Sequence, residues 1–409
     1  MNPLDRRSFL KTLAGGAAAL PLGMGALAPL PFQVPSTENA NTLNVRDFGA
    51  VGDGQTDDTL AIQSAVNSAA AVGGGIVYIP AGVYLISASI ELFSHTGLRG
   101  DGMGASVLKV KDQVGVDIIG VVRTHLARAE QPLTNVVVSD LTLDGNRANQ
   151  SAGLQFGFFA GVKADVRPPD EDIVCWRVEA HSFQGYGFDP HELTDRLFII
   201  ECVSHNNVRD GFAIDGIING VVRGCIAYNN IRHGFNVITS SRNVILDQNI
   251  AYGNQSNGFT IQNGSYNIQI TGSMAYQNVG DGIYCIGVND NFLSNNNIFE
   301  NNENGIRLRG CARTTVIGNR ICNNSQLEHN RFSEVFVDDD GSIPTVDCSF
   351  MSNHIASTKE VRARYGVRET PGEGNVVQSG NAYVANRVGG AATSDFALNN
   401  VNAVRAMNA

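Results

Sequence analysis

A two-residue motif, Gly followed by Phe or Ile, recurs at Gly187-Phe188, Gly211-Phe212, Gly234-Phe235, Gly258-Phe259, Gly282-Ile283 and Gly305-Ile306. The spacings are 24, 23, 24, 24 and 23 residues. A period of this length, holding short alternating segments such as 243–247 and 267–271 and no helical pattern, reads as one coil of a parallel β-helix. A single coil cannot bury its own apolar side, so neighbours must stack, about 4.8 Å apart. Side chains alternate along a strand, which turns the residue after Gly inward together with Pro190, Ile214, Val237, Ile261, Cys285 and Leu308. Phe188, Phe212, Phe235 and Phe259 then form an internal aromatic ladder. Asn precedes each later copy (Asn206-Asn207, Asn229-Asn230, Asn254, Asn278, Asn301-Asn302) and the pair Asn323-Asn324 follows the last. Asn suits left-handed turn positions and side-chain ladders.

Composition agrees with a turn-rich solenoid. Gly numbers 45, Asn 41, and charged residues make up only 17% of the chain. That excludes a charge-rich disordered chain and a coiled coil. The net charge of −10 argues against a nucleic-acid partner, because phosphate binding is driven by Lys and Arg. The seven Cys show no C-x-x-C and no zinc-type His pairing, and Cys202 and Cys225, one period apart, are expected as stacked buried thiols.

The ends read differently. Residues 1–32 carry Arg6-Arg7 before a weakly apolar run and Ala26-Leu27-Ala28, the pattern of a twin-arginine export signal. Pro21 and Pro29 interrupt a run too short to span a bilayer, so no membrane span is expected. Asp57-Asp58-Thr59 offers an N-cap to the Ala-rich segment 60–72, which is expected to cap the open end of the solenoid. Residues 42–390 are assigned to the solenoid, with strand fragments such as 332–337 and 375–378 near its end, and 391–409 to a polar C-terminal tail. Asp338-Asp339-Asp340-Gly341 reads as a solvated turn rather than a calcium loop.

The repeat turns sequence into geometry. If the first and third residues after Gly face inward, the second and fourth face outward. Three adjacent coils then present Tyr186, Asp189, His191, Asp215, Arg232 and His233 on one outer face, within about 10 Å along the axis. Later coils place Ser256, Asn257, Thr260 and Gln262 there. Tyr, His, two Asp and Arg together suit proton abstraction next to a carboxylate. Arg neutralises the carboxylate, and His and Tyr act as base and acid on opposite faces of a sugar ring.

Tyr186-Gly-Phe-Asp-Pro-His-Glu192, Asp210-Gly-Phe-Ala-Ile-Asp215 and Arg232-His-Gly-Phe-Asn236 resemble the catalytic module of calcium-dependent mannuronan C-5-epimerases. The similarity extends through 44–58 and Leu141-Thr-Leu-Asp-Gly-Asn-Arg147, covering roughly residues 44–325. It implies an all-β, right-handed parallel β-helix (solenoid) with an N-terminal capping helix. It also implies conversion of β-D-mannuronate to α-L-guluronate in polymeric alginate. Tyr186, Asp189, His191 and Arg232 would be catalytic, and Asp215, His233 and Arg123 would bind substrate. Ca2+ is implied as a cofactor without a located site. Asp170, Glu171 and Asp172 offer oxygen ligands, although the loop 151–172 departs from the family pattern. Periplasmic or secreted location and a monomeric enzyme are expected. An alginate lyase working by β-elimination on the same fold, and a non-catalytic polysaccharide-binding solenoid, are the alternatives.

Overall fold

The computed structural model describes residues 41–125, 132–161, 168–191, 193–370, 378–398 and 404–406. The export signal expected at 1–32 lies outside them, as does all but the last residue of the fragment expected at 375–378. The described chain winds into stacked coils of three strands, as in Phe212–Asp215, Ile217–Arg223 and Ile226–Tyr228. Every pairing between these strands is parallel. One face of the coil is a separate 12-stranded sheet. The other two merge into a 25-stranded sheet, because Thr134–Asp144 and Asp170–His181 run round the corner between them.

Register follows the repeat. Phe188, Phe212, Phe235, Phe259, Ile283 and Ile306 pair in succession across the 12-stranded sheet. All six are buried, as are Ile214, Val237, Ile261, Cys285 and Leu308. The four Phe rings stack with centroids 4.7–4.9 Å apart, which is the coil spacing itself. The seven cysteines are free thiols, all buried.

The Asn pairs divide into two roles. The first member takes the left-handed turn: Asn206, Asn229 and Asn323 have φ of 54–58°, with Gly253, Gln277 and Glu300 substituting elsewhere. The residue after the left-handed one points inward as a continuous amide ladder, Asn207, Asn230, Asn254, Asn278, Asn301 and Asn324, each Nδ2 donating to the next Oδ1 at 2.9–3.0 Å. Glu334 ends the ladder by accepting from Asn324 Nδ2 at 2.7 Å. This ladder, rather than a turn, explains the repeat glycine. A Cβ on Gly211 would stand 2.8 Å from Asn230 Nδ2 and 2.9 Å from the Gly234 carbonyl oxygen. The turn role expected from Gly content therefore belongs elsewhere for these glycines.

Helix α1 spans Thr59–Ala71 and buries Ile62, Ala65, Val66 and Ala69 over the first coils. Its capping differs from expectation. The Asp58 carboxylate accepts from the Val51 and Gly52 amides, while Asp57 Oδ1 takes the Thr59 amide. At the other end the solenoid runs past 390. Ser394–Leu398 pairs with Tyr365–Glu369 and Val404–Ala406 with Ala382–Val384, so part of the expected tail is strand. No helix among the described residues is long and apolar enough to cross a membrane.

Candidate active site

The 12-stranded sheet carries the titratable residues on its outer face. Strand Phe188–Pro190 is flanked by two groups. At its N-terminal end Tyr186 turns out of the coil, and its phenol oxygen accepts from Arg209 Nη1 and Arg232 Nη1, each at 3.3 Å. Arg209 also lies over the Tyr186 ring, 5.1 Å from its centroid. Arg232 is held from below by Asp210, with Nε 3.5 Å from Oδ1 of that fully buried carboxylate. Asp210 also accepts from the His233 amide and from Asn236 Nδ2, both at 2.9 Å. One buried acid thus fixes two neighbouring coils.

At the C-terminal end of the same strand, His191 Nδ1 lies 3.0 Å from Asp215 Oδ2 and 4.0 Å from Asp189 Oδ1. The Asp215 carboxylate thus lies against the Nδ1 edge of the ring. Phe159 from the preceding coil packs on the imidazole, centroids 5.6 Å apart. Asp189 points outward yet is only 3% exposed. Burial pushes its carboxyl up to about 7, against the pull of His191 and with the help of the Asp215 charge. Near neutral pH this acid is therefore partly protonated and able to donate a hydrogen bond.

His233 follows Arg232 directly in the chain, and its pKa is lowered chiefly by burial. Tyr186, Asp189, His191, Asp215, Arg232 and His233 thus fall on three successive coils. Arg123 does not join them directly. It pairs with Phe159, which in turn pairs with Asp189, so it stands two coils away, and its guanidinium is engaged by Glu91 at 3.0 Å.

Phe159 and Asp210 had no role assigned from sequence. Phe159 belongs to an earlier copy of the motif, Gly157-Phe158, which pairs in register with Phe188. A search relaxed beyond 24 residues, to admit the longer loop before Gly187, finds it. Asp210 stands in the slot before Gly, where its burial follows only from the coil geometry.

Three donor atoms, from Asp189, His191 and Asp215, lie within 4.8 Å of one another, a set compatible with a metal cation. For calcium the set fits poorly: that ion takes six to eight oxygens, and here an imidazole nitrogen and one partly protonated carboxyl are among three donors. The other acidic stretches are already engaged. Asp170 accepts from the Gly161 amide, and Glu171 and Asp172 bind Arg196. Asp338 pairs with Arg307, and Asp340 closes a turn by accepting from the Ser342 and Ile343 amides.

Residues 42–155 match a family model described as rhamnogalacturonase A/epimerase, pectate lyase-like, and 193–334 match one described as periplasmic copper-binding protein (NosD). Mannuronan C5-epimerase AlgE2 of Azotobacter vinelandii is 41% identical over 214 residues, 51% of this chain and 21% of that protein. Alginate lyase 7 of the same organism is 37% identical over 209 residues, 49% and 24% of the two chains. The match thus spans about a fifth to a quarter of the length of these curated relatives. The solved A-module of mannuronan C-5 epimerase AlgE6, also from A. vinelandii, superposes with a TM-score of 0.81 at 33% identity, covering 90% of this chain and 99% of that module.

Proposed function

The chain belongs to the family of the mannuronan C5-epimerase A-modules, right-handed parallel β-helices, and on that premise we propose that it inverts C-5 of mannuronate residues within polymeric alginate. The observation that carries this reading is the arrangement round strand Phe188–Pro190. Two groups able to exchange a proton, Tyr186 and His191, stand at its two ends, with guanidinium groups beside one and carboxyl groups beside the other.

Inversion requires that the C-5 proton leave one face of the ring and another arrive on the opposite face. The C-5 proton is weakly acidic, so charge developing on the adjacent carboxylate must be neutralised as it forms. Arg232, fixed by Asp210, supplies one positive donor, and protonated Asp189 supplies a neutral one. His191 and Tyr186 then exchange protons on the two faces. Asp215 holds the His191 ring and balances its charge when it becomes imidazolium. Phe159 packs against one side of the ring.

Arg209 and Arg232 give the groove local positive charge on a chain whose net charge is −10, which eases the approach of a polyanion. Calcium has its place in this reading on the substrate side, as a counter-ion between alginate carboxylates, and no step depends on it. Export to the periplasm or beyond, where such a polymer is met, completes the proposal, together with action as a monomer.

β-Elimination is the second reading, favoured by the 37% identity to an alginate lyase. Both reactions share the species formed by proton loss, and cleavage follows if the 4-O substituent leaves first. Incubation of polymannuronate in deuterated water distinguishes the two. Deuterium at C-5 with guluronate signals and no ultraviolet absorbance of unsaturated ends is the expected result. Absorbance without guluronate would replace the epimerase with a lyase, and neither signal would remove both.

A further inference from the structure

The residue before each repeat glycine occupies one slot on successive coils, and in five of them its side chain accepts the backbone amide of the next. Asp210 Oδ1 accepts from the His233 amide at 2.9 Å and His233 Nδ1 from the Asn257 amide at 3.3 Å. Asn257 Oδ1 accepts from the Asp281 amide and Asp281 Oδ1 from the Asn304 amide, both at 2.8 Å. Asn304 Oδ1 accepts from the Ser333 amide at 2.9 Å. Four of the five acceptors are carbonyl-type oxygens, and the fifth is a ring nitrogen.

A backbone N–H only donates, so the nitrogen that faces it must be the unprotonated one. A second contact agrees with it. Thr260 Oγ1 stands 3.2 Å from His233 Nδ1 and itself accepts from Asn257 Nδ2 at 3.2 Å, which leaves the hydroxyl proton for the ring. The single proton of the neutral imidazole is then on Nε2. His191 is the opposite case, with its Nδ1 against a carboxylate. His233 is partly exposed, and among the described residues its Nε2 makes no hydrogen bond.

From this ladder we infer that His233 is locked as the neutral Nε2–H tautomer and serves as a fixed hydrogen-bond donor to an oxygen of the bound uronate, beside Arg232, without carrying a proton in turnover. The inference rests on the polyuronate reading of the site. It assigns the two histidines of the groove different work. The one whose Nδ1 meets a carboxylate exchanges protons, and the one whose Nδ1 meets an amide only donates. Burial disfavours protonation of His233 and outweighs the opposing pull of the Asp210 carboxylate, and the Arg232 charge adds to it, in keeping with the neutral ring.

Two substitutions separate the ring's nitrogens. Asn at 233 keeps an acceptor in the ladder slot, as Asn257 and Asn304 do, and lacks the Nε2 donor. Gln at 233 places an amide N–H near Nε2 and loses the ladder acceptor. His233→Asn is expected to melt within about 2 °C of the parent while kcat/KM falls at least about tenfold. His233→Gln should melt several degrees lower and keep more activity than His233→Asn. In the full-length protein carrying 15N-labelled histidine, the resonance that disappears in His233→Asn should show a protonated Nε2 and an unprotonated Nδ1. That Nε2–H should shift when oligomannuronate is added. A protonated Nδ1, an Nε2 unmoved by the oligosaccharide, or parental kcat/KM in His233→Asn would overturn the inference. The nitrogen spectra need no turnover, so a protein inactive on polymannuronate would sink the epimerase reading and leave the tautomer and binding tests decisive.

Discussion

Coils 187–238 and coils 258–309 share backbone, register and interior, yet only the first group carries the residues of the proposed chemistry. Both stack Phe or Ile and then Ile, Val, Cys or Leu inside. Both hang on the same Asn ladder. In the slot before Gly, however, the first group has Tyr186, Asp210 and His233, and the second has Asn257, Asp281 and Asn304. The slot's structural task, accepting the next coil's amide, is met by Asp210 and His233 in the first group and by all three residues in the second. A solenoid thus repeats its scaffold and varies one outward row, so function is added where a ladder position tolerates a titratable acceptor.

The largest effect that tests this contrast is on turnover. Tyr186→Phe and His191→Ala should fold with parental melting temperatures and lose about 100-fold or more in kcat. Both side chains lie on the outer face, and the inner rows are untouched. Parental turnover in either variant would remove that residue from the chemistry.

Next in size is a paired change in stability. Burial pushes both Asp189, in the first group of coils, and Asp281, in the later ones, up to about 7. In the unfolded chain each carboxyl titrates near 3.8, the ordinary value. Between that value and about 7 the native state holds a proton that the unfolded chain has released, so rising pH favours unfolding, and the cost is complete above 7. An uncharged amide avoids it. Asp281→Asn should therefore stabilise the protein at pH 8 by on the order of 3 kcal/mol and leave it unchanged near pH 4, with activity intact. Asn is already the residue in the slots before and after it. Asp189→Asn should show the same pH-dependent gain and a loss of turnover. Equal activity in the two variants, or a gain that persists at pH 4, would break the comparison.

Much of this architecture was legible in the sequence because the repeat period converts position into direction. The Phe ladder, the inward Ile and Val rows, the cap helix and the grouping of six polar residues on three coils all follow from counting. What counting missed has physical reasons. Asp189, Asp215 and Asn236 face outward and are nonetheless buried, since neighbours on the same face close over them. The repeat glycine reflects the thickness of an amide ladder, which a turn-based reading of Gly does not contain. Arg123 falls in line with Asp189 and is claimed by Glu91, a residue in a coil outside the regular repeat. Phe159 was hidden by a loop that stretches one period.

The smallest effect concerns what the two groups of coils share. Asn254 stands between them in the amide ladder. Its Oδ1 accepts from the Asn230 amide at 3.1 Å and Asn230 Nδ2 at 3.0 Å, and its Nδ2 donates to the Ala227 carbonyl at 3.2 Å and Asn278 Oδ1 at 2.9 Å. All of these groups are buried, so Asn254→Ala leaves donors and acceptors without water to replace the lost partner. An unsatisfied buried polar group costs about 1–3 kcal/mol, and partial relaxation of the neighbouring amides keeps the sum below simple addition. A loss of about 2 kcal/mol is expected by denaturant titration, with kcat of the folded fraction unchanged. A fall in kcat at temperatures where the variant is fully folded would mean that the ladder also sets the geometry of the groove. The scaffold and the chemistry would then not be separable, and the likeness of the two groups of coils would extend only to their backbone.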